Sequence, residues 1–330
     1  MKRKAKSKYI KYISIALVAI FLIAAAFLII ELWENKQGRF DKGTGNDSSV
    51  EYNDQEYEYK QEIETFLVLG IDGIVDEDSK DENRNGVYAD FLMLFVFDNE
   101  TKQFSAIQIN RDTMTKVNRL SVGGTSVIAS DTMQIALAYN YVNDDNDRIR
   151  CRNTKDSVEY LLNGIKIDHY MSVTMDSVPI SCDLVGGVEV EVLDDFTGID
   201  DYLVKGEKVT LKGEQALRYV RTRYGLEDSS NSTRMKRQQQ YIQALYDKIS
   251  YNIKEDEEFL IKFVDQMDEY VEYDSSNNKI MKFAEKFENY EFLGIRELEG
   301  EQKVVNNLME FYPNEDSISE VVIELFYTEK

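Results

Sequence analysis

The sequence predicts an α/β fold in which a single αβα layered domain with a central mixed sheet, residues 63–330, follows one N-terminal transmembrane helix. Three observations support this prediction. Strand and helix patterns are mixed throughout residues 63–330, and the strand patterns are concentrated in the first part of that range. The chain has 330 residues, of which 43% are hydrophobic, so it can bury a substantial core. One long apolar run separates a basic N-terminal segment from the rest.

The N-terminus has the charge pattern of a membrane anchor. Residues 1–11 are basic without a single acid, and residues 12–33 are almost entirely apolar between Tyr12 and Trp33. At about 1.5 Å rise per residue, this run nearly spans a hydrocarbon core of about 30 Å. The basic flank predicts a single-pass protein of the cell membrane, with a cytoplasmic N-terminus and an extracellular C-terminal domain. No small-x-small site follows the run, which favours an uncleaved signal anchor over a cleaved signal peptide.

A polar, acidic stretch over residues 34–62 predicts a flexible linker between the anchor and the domain. The whole chain is acidic, with 61 Asp and Glu against 39 Lys and Arg and a net charge of −22. This balance argues against nucleic acid as a partner, because a phosphate backbone requires a basic surface. A local basic cluster in such a chain indicates a small, specific anion instead.

The cysteines and the only histidine carry little sign of catalysis. His169 would have to act alone in any Ser-His-Asp or Cys-His mechanism or zinc site, and its strand-like surroundings favour a structural role. Cys151 and Cys182 permit either one disulfide or two buried thiols, of which the thiols are favoured. Neither cysteine lies in a CxxC pattern, so the sequence contains no metal or redox motif of that kind.

The first half of the domain reads as three strands followed by helices. The run TFLVLGID, Thr65–Asp72, predicts a buried strand whose carboxyl end is exposed. The runs ADFLMLFVF and KQFSAIQIN flank the turn DNET and predict a β-hairpin. The segment SDTMQIALAYNY predicts a helix with Ser130 and Asp131 as capping candidates. The segment TKDSVEYLLNG predicts a helix that ends at Asn-Gly.

The second half mixes the two patterns. HYMSVTM and GVEVEV predict strands on either side of a short helix around Asp176–Val185. KGEQALRYV predicts a helical turn that enters a strand. Asn231–Ser232 is the predicted cap of a long amphipathic helix through about Ile253, and SISEVVIELF predicts a closing helix. The chain has no internal repeat and no GxxxxGK[ST] or GxGxxG loop.

One stretch is rich in arginine, RYVRTRYGLEDSSNSTRMKRQQQYI, residues 218–242. On a strand, Arg221 and Arg223 would point to the same face. On the following helix, Arg234, Arg237 and Gln238 would also share a face. Two arginine pairs brought together in this way would bind a phosphate or pyrophosphate. The alternative is a solvated network with surplus carboxylates, although only two acids lie within the stretch.

Acidic candidates lie at predicted strand ends. Asp72 closes the first strand and Asp90 opens the second, and two carboxylates near a pyrophosphate suit Mg²⁺. The alternative is a turn or strand-end role, which is individually more common. Arg111, at the end of the third strand, would add positive charge. Asp90 and Asp112 are the candidates for a catalytic base.

These segments together resemble the LytR-CpsA-Psr (LCP) family. In the order of that family the chain contains LVLGID, YADFLMLFVFDNETKQFSAIQINRDTM, MQIALAY, SVEYLLNGIKIDHYMSV, DLVGGVEVEV, LKGEQALRYVRTR and RMKRQQQYI. The combination of NRDTM, YVRTR and RMKRQQQ is highly specific. The resemblance extends from about Phe66 to the C-terminus.

The resemblance implies a membrane-anchored extracellular transferase. Such enzymes move a glycopolymer, for example a teichoic acid or capsular polysaccharide, from a polyprenyl (pyro)phosphate carrier to a sugar hydroxyl of peptidoglycan. Asp72 and Asp90 match the acids of the family's Mg²⁺ site, and Gln238 matches a polar contact near the phosphates. The residues that match the family's pyrophosphate-binding arginines are Arg111, Arg221, Arg223 and Arg234. The family also implies an apolar tunnel for the lipid.

Two departures from the family pattern leave alternatives open. The family often has DSR…RSD, whereas this chain has Gly73-Ile74 and Tyr88 at the two arginine positions. It also has SSNSTR where GDFGR is usual. One alternative activity is hydrolysis of a polyprenyl pyrophosphate. The other is a non-catalytic regulator that binds the lipid phosphate, which the residue Tyr88 favours.

Overall fold

The computed structural model describes residues 49–73, 87–142, 144–228, 230–256, 258–274, 290–306 and 308–330. The predicted basic segment and transmembrane helix lie outside these residues. Among the described residues, no helix has the length and apolar character needed to cross a membrane. The chain divides into two compact units. The sheet unit takes the described residues within 27–172, 272–276 and 290–330, and the helical unit takes those within 173–271.

Strands and helices alternate along the described residues. The strands are β1 Ser49–Tyr52, β2 Gln55–Tyr59, β3 Ile63–Asp72, β4 Tyr88–Asp98, β5 Gln103–Ile109, β6 Met114–Leu120, β7 Val127–Gln134, β8 His169–Thr174, β9 Val188–Glu191, β10 Lys208–Leu211, β11 Val271–Tyr273, β12 Glu291–Glu297, β13 Gly300–Val305, β14 Leu308–Pro313 and β15 Tyr327–Glu329. The α-helices are α1 Asp147–Leu161, α2 Ser177–Leu184, α3 Gly213–Arg221, α4 Asn231–Glu255, α5 Phe259–Met267 and α6 Glu315–Phe326.

A six-stranded sheet in the order β11-β8-β3-β4-β5-β12 forms the centre of the sheet unit. Strands β3, β4 and β5 are antiparallel neighbours, whereas β12 runs parallel to β5. The predicted hairpin is confirmed, because Asp98 accepts hydrogen bonds from the backbone nitrogens of Glu100 and Thr101, both at 3.0 Å, and closes the turn. The predicted central mixed sheet is therefore confirmed.

Both faces of the three long strands are buried, which explains their nearly continuous apolar sequences. Alternation places Leu67, Leu69, Leu92 and Leu94 on one face, where they form a core with apolar residues of α1 and α6. The opposite face is aromatic. Its buried phenylalanines are Phe66, Phe95, Phe97 and Phe104.

The second part of the predicted linker is folded. Residues 49–59 form the hairpin of β1 and β2, and β15 adds to it as a third strand. Asn53 and Asp54, with φ of 53° and 62°, make the two-residue turn, a geometry that suits a hairpin. Tyr59 packs edge-on against Tyr327, with 5.3 Å between ring centroids. The linker prediction is therefore wrong over these residues, because half-buried tyrosines alternate with exposed acids there.

The predicted helix cap at Ser130 and Asp131 is wrong. Both residues lie in β7, which pairs with β6 and places Ser130 opposite Asn118. The Oγ of Ser130 donates to Oδ1 of Asn118 at 2.7 Å, so the hydroxyl serves a cross-strand contact. Only Ile135–Tyr139 is helical there, as a short 3-10 helix.

The helical unit contains α2 to α5 and the antiparallel pair β9 and β10. KGEQALRYV lies in α3 and enters no strand, because its buried residues recur at helical spacing. The long predicted helix is α4, but its cap is Ser230, whose side chain accepts from the backbone nitrogen of Thr233 at 3.4 Å. Cys182 in α2 and Cys151 in α1 are buried free thiols, as favoured from the sequence.

Candidate functional site

The predicted acids of the sheet unit lie at the ends of neighbouring strands. Asp72 is the last residue of β3 and pairs with Tyr88 in β4. The register then slips, since Ile71 pairs with Ala89 while Gly70 pairs with Phe91. Asp90 is the additional residue of this irregularity, a β-bulge. Bulges re-aim side chains at strand ends, and this one allows a carboxylate to interrupt an apolar strand.

Arg111 binds Asp90 directly. Leu92 pairs with Ile109, and extending this register by two residues brings Asp90 opposite Arg111. The Nη1 of Arg111 donates to Oδ1 of Asp90 in a charge-assisted contact. The side chains are 16% and 8% exposed, so water screens this pair less than a surface pair. The structure therefore brings these two predicted site residues into contact.

Asp112 is placed behind Arg111. Its Oδ1 lies 3.6 Å from Nε of Arg111 and accepts from Nε2 of Gln134 at 3.3 Å. Its backbone nitrogen donates to Oδ1 of Asn110 at 3.0 Å, and only 2% of the side chain is exposed. Such burial suits a residue that orients Arg111 better than one that takes a proton from a substrate. Asn110 and Gln134 lie within the NRDTM and MQIALAY segments of the sequence, but their contacts with Asp112 depend on the fold and were not predicted.

The residues fit Mg²⁺ only in part. Within the described ranges, no group of three or more His, Cys, Asp and Glu side chains could hold a metal ion. Asp72 and Asp90 supply carboxylate oxygens from adjacent strands, and Mg²⁺ is typically bound by one or two carboxylates plus waters and ligand phosphates. The pair therefore suits a cation whose remaining ligands come from water and a phosphate-bearing molecule.

The predicted arginines of the helical unit surround the end of α3 and the start of α4. Arg221 is the last residue of α3, so the prediction that it shares a strand face with Arg223 is wrong. At Thr222 the backbone leaves the helix with φ of −57° and ψ of 132°. Arg223 follows, and its Nη2 donates to the hydroxyl of Tyr224 at 2.6 Å while its guanidinium lies 4.8 Å from that ring's centroid.

Arg234 lies in the first turn of α4 and is 4% exposed. Its Nη2 donates to Oδ1 of Asn231 at 2.6 Å. A helix N-terminus is itself positive, so a cation in the first turn is unfavourable by itself and an anion bound nearby would offset this. Arg234 therefore retains its predicted role as a phosphate-binding candidate.

Arg237 and Gln238 have protein acceptors on α3. Arg237 is fully buried, pairs with Asp194 at 2.8 Å and donates to the backbone oxygens of Tyr219 and Thr222. Nε2 of Gln238 donates to the backbone oxygen of Val220 at 3.4 Å. These contacts assign Arg237 to the protein scaffold in place of the predicted phosphate contact. Asp194 was missed because the partner of a buried arginine cannot be read from sequence spacing.

Comparison with known proteins gives one family. A profile of the LytR_cpsA_psr family matches residues 33–326. The polyisoprenyl-teichoic acid–peptidoglycan teichoic acid transferase TagU of Bacillus licheniformis is 26% identical over 347 residues, covering 98% of this chain and 97% of its own length. The corresponding transferase TagV of Bacillus subtilis is 29% identical over 213 residues, covering 62% of this chain and 48% of the relative.

Solved structures agree on the fold. Bacillus subtilis TagV superposes with a TM-score of 0.58 at 24% identity, covering 79% of this chain and 96% of that one. TagT bound to LIIa-WTA superposes with a TM-score of 0.58 at 23% identity, covering 84% and 95%. At this level of identity the likeness establishes the fold alone. Because the family profile spans nearly the whole chain, this protein belongs to the LytR_cpsA_psr family.

Proposed function

We propose that this chain, a transferase of the LytR_cpsA_psr family, moves a glycopolymer from a polyprenyl (pyro)phosphate carrier to a sugar hydroxyl of peptidoglycan. The observation that carries the proposal is the concentration of guanidinium groups in a chain of net charge −22. Arg221, Arg223 and Arg234 lie around the junction of α3 and α4, and Arg111 lies at the sheet edge. The relative TagU, which matches this chain over nearly its full length and is named as a teichoic acid transferase, supports the proposal.

The proposed reaction forms a phosphodiester bond. The acceptor hydroxyl oxygen attacks the phosphorus next to the glycopolymer, and the bond from that phosphorus to the carrier's phosphate oxygen breaks. Negative charge increases on the departing polyprenyl phosphate, where fixed guanidinium groups stabilise it. Removing one such donor typically costs about 10²–10³ in rate.

The charged residues of the sheet unit orient an arginine, take up a proton or hold a cation in this proposal. Asp112, almost fully buried, holds Arg111 towards the phosphates. Asp90 is the remaining candidate for the base that accepts the hydroxyl proton. Asp72 and Asp90 would hold Mg²⁺, which when bound would neutralise charge on the phosphates. Residue Tyr88, opposite Asp72, takes the place of a family arginine.

Membrane anchoring is part of the proposal. A polyprenyl donor stays in the bilayer, so the apolar segment 12–33 would keep the enzyme beside its donor. The basic segment 1–11 supports a cytoplasmic N-terminus and an extracellular C-terminal domain. Residues 34–48 then remain as the linker, because 49–59 are part of the folded sheet unit.

The test uses the full chain in nanodiscs with a synthetic polyprenyl pyrophosphate-linked saccharide, Mg²⁺ and peptidoglycan fragments. Mass spectrometry should find an acceptor heavier by saccharide plus phosphate, and the Arg111→Ala chain should yield far less of it. Release of free saccharide phosphate would identify a hydrolase instead. Donor that stays bound but unchanged would identify the regulator that Tyr88 favours, and in that case the transferase proposal fails.

A further inference from the structure

The C-terminal end of α3 is capped by side chains of α4. An α-helix leaves its last four carbonyl groups without partners inside the helix. Arg237 donates through Nη1 to the oxygen of Tyr219 and through Nη2 to the oxygen of Thr222. Gln238 donates to the oxygen of Val220, which lies between them. A cation at this end also offsets the negative pole of the helix.

Arg237 is held in place from several directions. It is fully buried, and its Nε lies 2.8 Å from Oδ2 of Asp194, in the loop after β9. Its guanidinium carbon lies 5.3 Å from the ring centroid of Phe196 and 5.8 Å from that of Tyr219. A buried charge is tolerated only when it is paired, so Asp194 is what allows Arg237 to occupy this position.

The capped carbonyls belong to Tyr219 and Val220, which precede Arg221, and to Thr222, which lies between Arg221 and Arg223. Thr222 is where the backbone turns out of the helix, so its conformation sets the direction in which Arg223 leaves. Arg237 binds the carbonyl of Tyr219, in the last turn of α3, and the carbonyl of Thr222, the residue at which the backbone leaves the helix. The turn is thereby fixed by a residue that is itself shielded from solvent.

We infer that Asp194 and Arg237 are positioning residues that orient Arg221 and Arg223 towards a phosphate-bearing ligand. The nature of that ligand rests on the proposed function. Asp194 fixes Arg237. Arg237 in turn fixes the last turn of α3, which carries Arg221, and the backbone at Thr222, which precedes Arg223. Neither positioning residue touches the ligand.

A double-variant cycle on the full chain in nanodiscs tests this inference, with kcat and KM for transfer as readouts. Arg223→Gln should lower kcat by about 100-fold in the otherwise unchanged chain, as the loss of one charge-stabilising donor does. In the Arg237→Lys background the same change should cost less than about 10-fold, because Arg223 is already displaced and the two effects are coupled. A purely structural role would give additive effects, and additivity overturns the inference.

Arg218 provides a matched control on the same helix. Its Nη1 pairs with Oδ2 of Asp200 at 2.6 Å. The side chain of Asp200 is 5% exposed and that of Asp194 is 13% exposed, so both carboxylates are largely shielded from solvent. Arg218→Lys perturbs an ion pair of α3 without removing a cap from its end. Its effect should add to that of Arg223→Gln without coupling. Equal coupling from Arg218→Lys would mean that general loosening of α3 explains the result.

Two arrangements keep the test decisive. If Arg237→Lys does not fold, Asp194→Glu retains the charge and shifts the carboxylate, and the same coupling to Arg223→Gln is expected. If the wild-type chain transfers nothing, the proposed function fails, and the cycle is measured on binding of inorganic pyrophosphate by calorimetry. Additive effects in either format, or no binding by the wild type, would overturn the inference.

Discussion

Arg111 and Asp90 form an ion pair at the ends of two antiparallel strands, and the carboxylate reaches it because β4 carries an additional residue there. The pair brings together the two kinds of charged group in the candidate site at this sheet edge, a carboxylate and a guanidinium. It also means that neither residue can be changed without leaving the other charge in a largely dry setting.

Arg111→Met should destabilise the chain by about 1–3 kcal/mol, because Asp90 is left charged and poorly solvated. Asp90→Asn combined with Arg111→Met should recover part of that loss, since no unpaired acid then remains at position 90. The free energy of unfolding, measured with urea, checks both values. A double variant no more stable than Arg111→Met would contradict the pairing.

Asp72→Asn should raise the Mg²⁺ concentration needed for half-maximal transfer by at least about 10-fold, the smallest loss typical of weakened metal sites. The measurement is transfer rate against Mg²⁺ concentration. Asp98→Asn, at the opposite end of β4, should leave this concentration unchanged while keeping an acceptor for the turn. An unchanged Mg²⁺ dependence in Asp72→Asn would remove that residue from the site.

The two thiols should react slowly in the native chain. Burial raises the pKa of Cys151 from 9.0 to about 12 and also raises the pKa of Cys182, so both are uncharged at pH 8. A thiol reagent at pH 8 should therefore modify both cysteines in guanidinium but neither quickly without it. Rapid modification of the folded chain would show that the thiols are accessible.

The same shift predicts a loss of stability in alkali. The pKa of Cys151 is higher in the folded than in the unfolded state, so its stabilising contribution is complete below about pH 9 and is lost as the pH rises towards about 12. Cys151→Ala should flatten the fall in unfolding free energy across this window. An identical pH profile for the variant would exclude this thiol as a contributor.

Tyr327→Ala should cost about 3 kcal/mol, by comparison with other buried aromatic truncations. The ring is 8% exposed and contacts Tyr59, so its loss leaves a cavity where β15 meets β2. Thr328→Ala, at the next and exposed position, is the control and should be nearly neutral. Thermal unfolding of the two variants compares them directly, and equal stability would contradict the packing.

Ser230→Ala should destabilise the chain by about 1 kcal/mol, the usual cost of losing a helix cap. Ser232→Ala, inside α4, is the control because the cap of this helix is Ser230. Urea unfolding separates the two positions. A larger effect at Ser232 than at Ser230 would support the cap at Asn231–Ser232 that was predicted from the sequence.

The parts of the fold that sequence reasoning predicted are those determined by local pattern. The long apolar runs mark β3, β4 and β5, and their ends locate Asp72, Asp90 and Arg111. The bulge at Asp90 could not be recognised in the sequence, because an added residue changes the pairing of β3 and β4 without changing the composition of the strand.

The errors have physical causes that act over a distance. Ser130 and Asp131 resemble a cap, yet cross-strand pairing with β6 decides their conformation. Arg237 has the spacing of a ligand-facing residue, but its role depends on Asp194 in a distant loop. Spacing along one helix shows which residues share a face and leaves the partner of that face undetermined.

The three-stranded sheet β1-β2-β15 places both ends of the described chain beside one strand. Ser49 and Thr328 are both level with Glu58 and lie on opposite sides of β2, so they are separated by about 10 Å, two strand spacings. In a fragment limited to residues 49–330, a linker of a few residues could therefore join the two ends, and new termini could be opened at the turn after Asp98. Residues 49–330 are thus compatible with circular permutation, in which the order of the segments along the chain changes while their contacts do not.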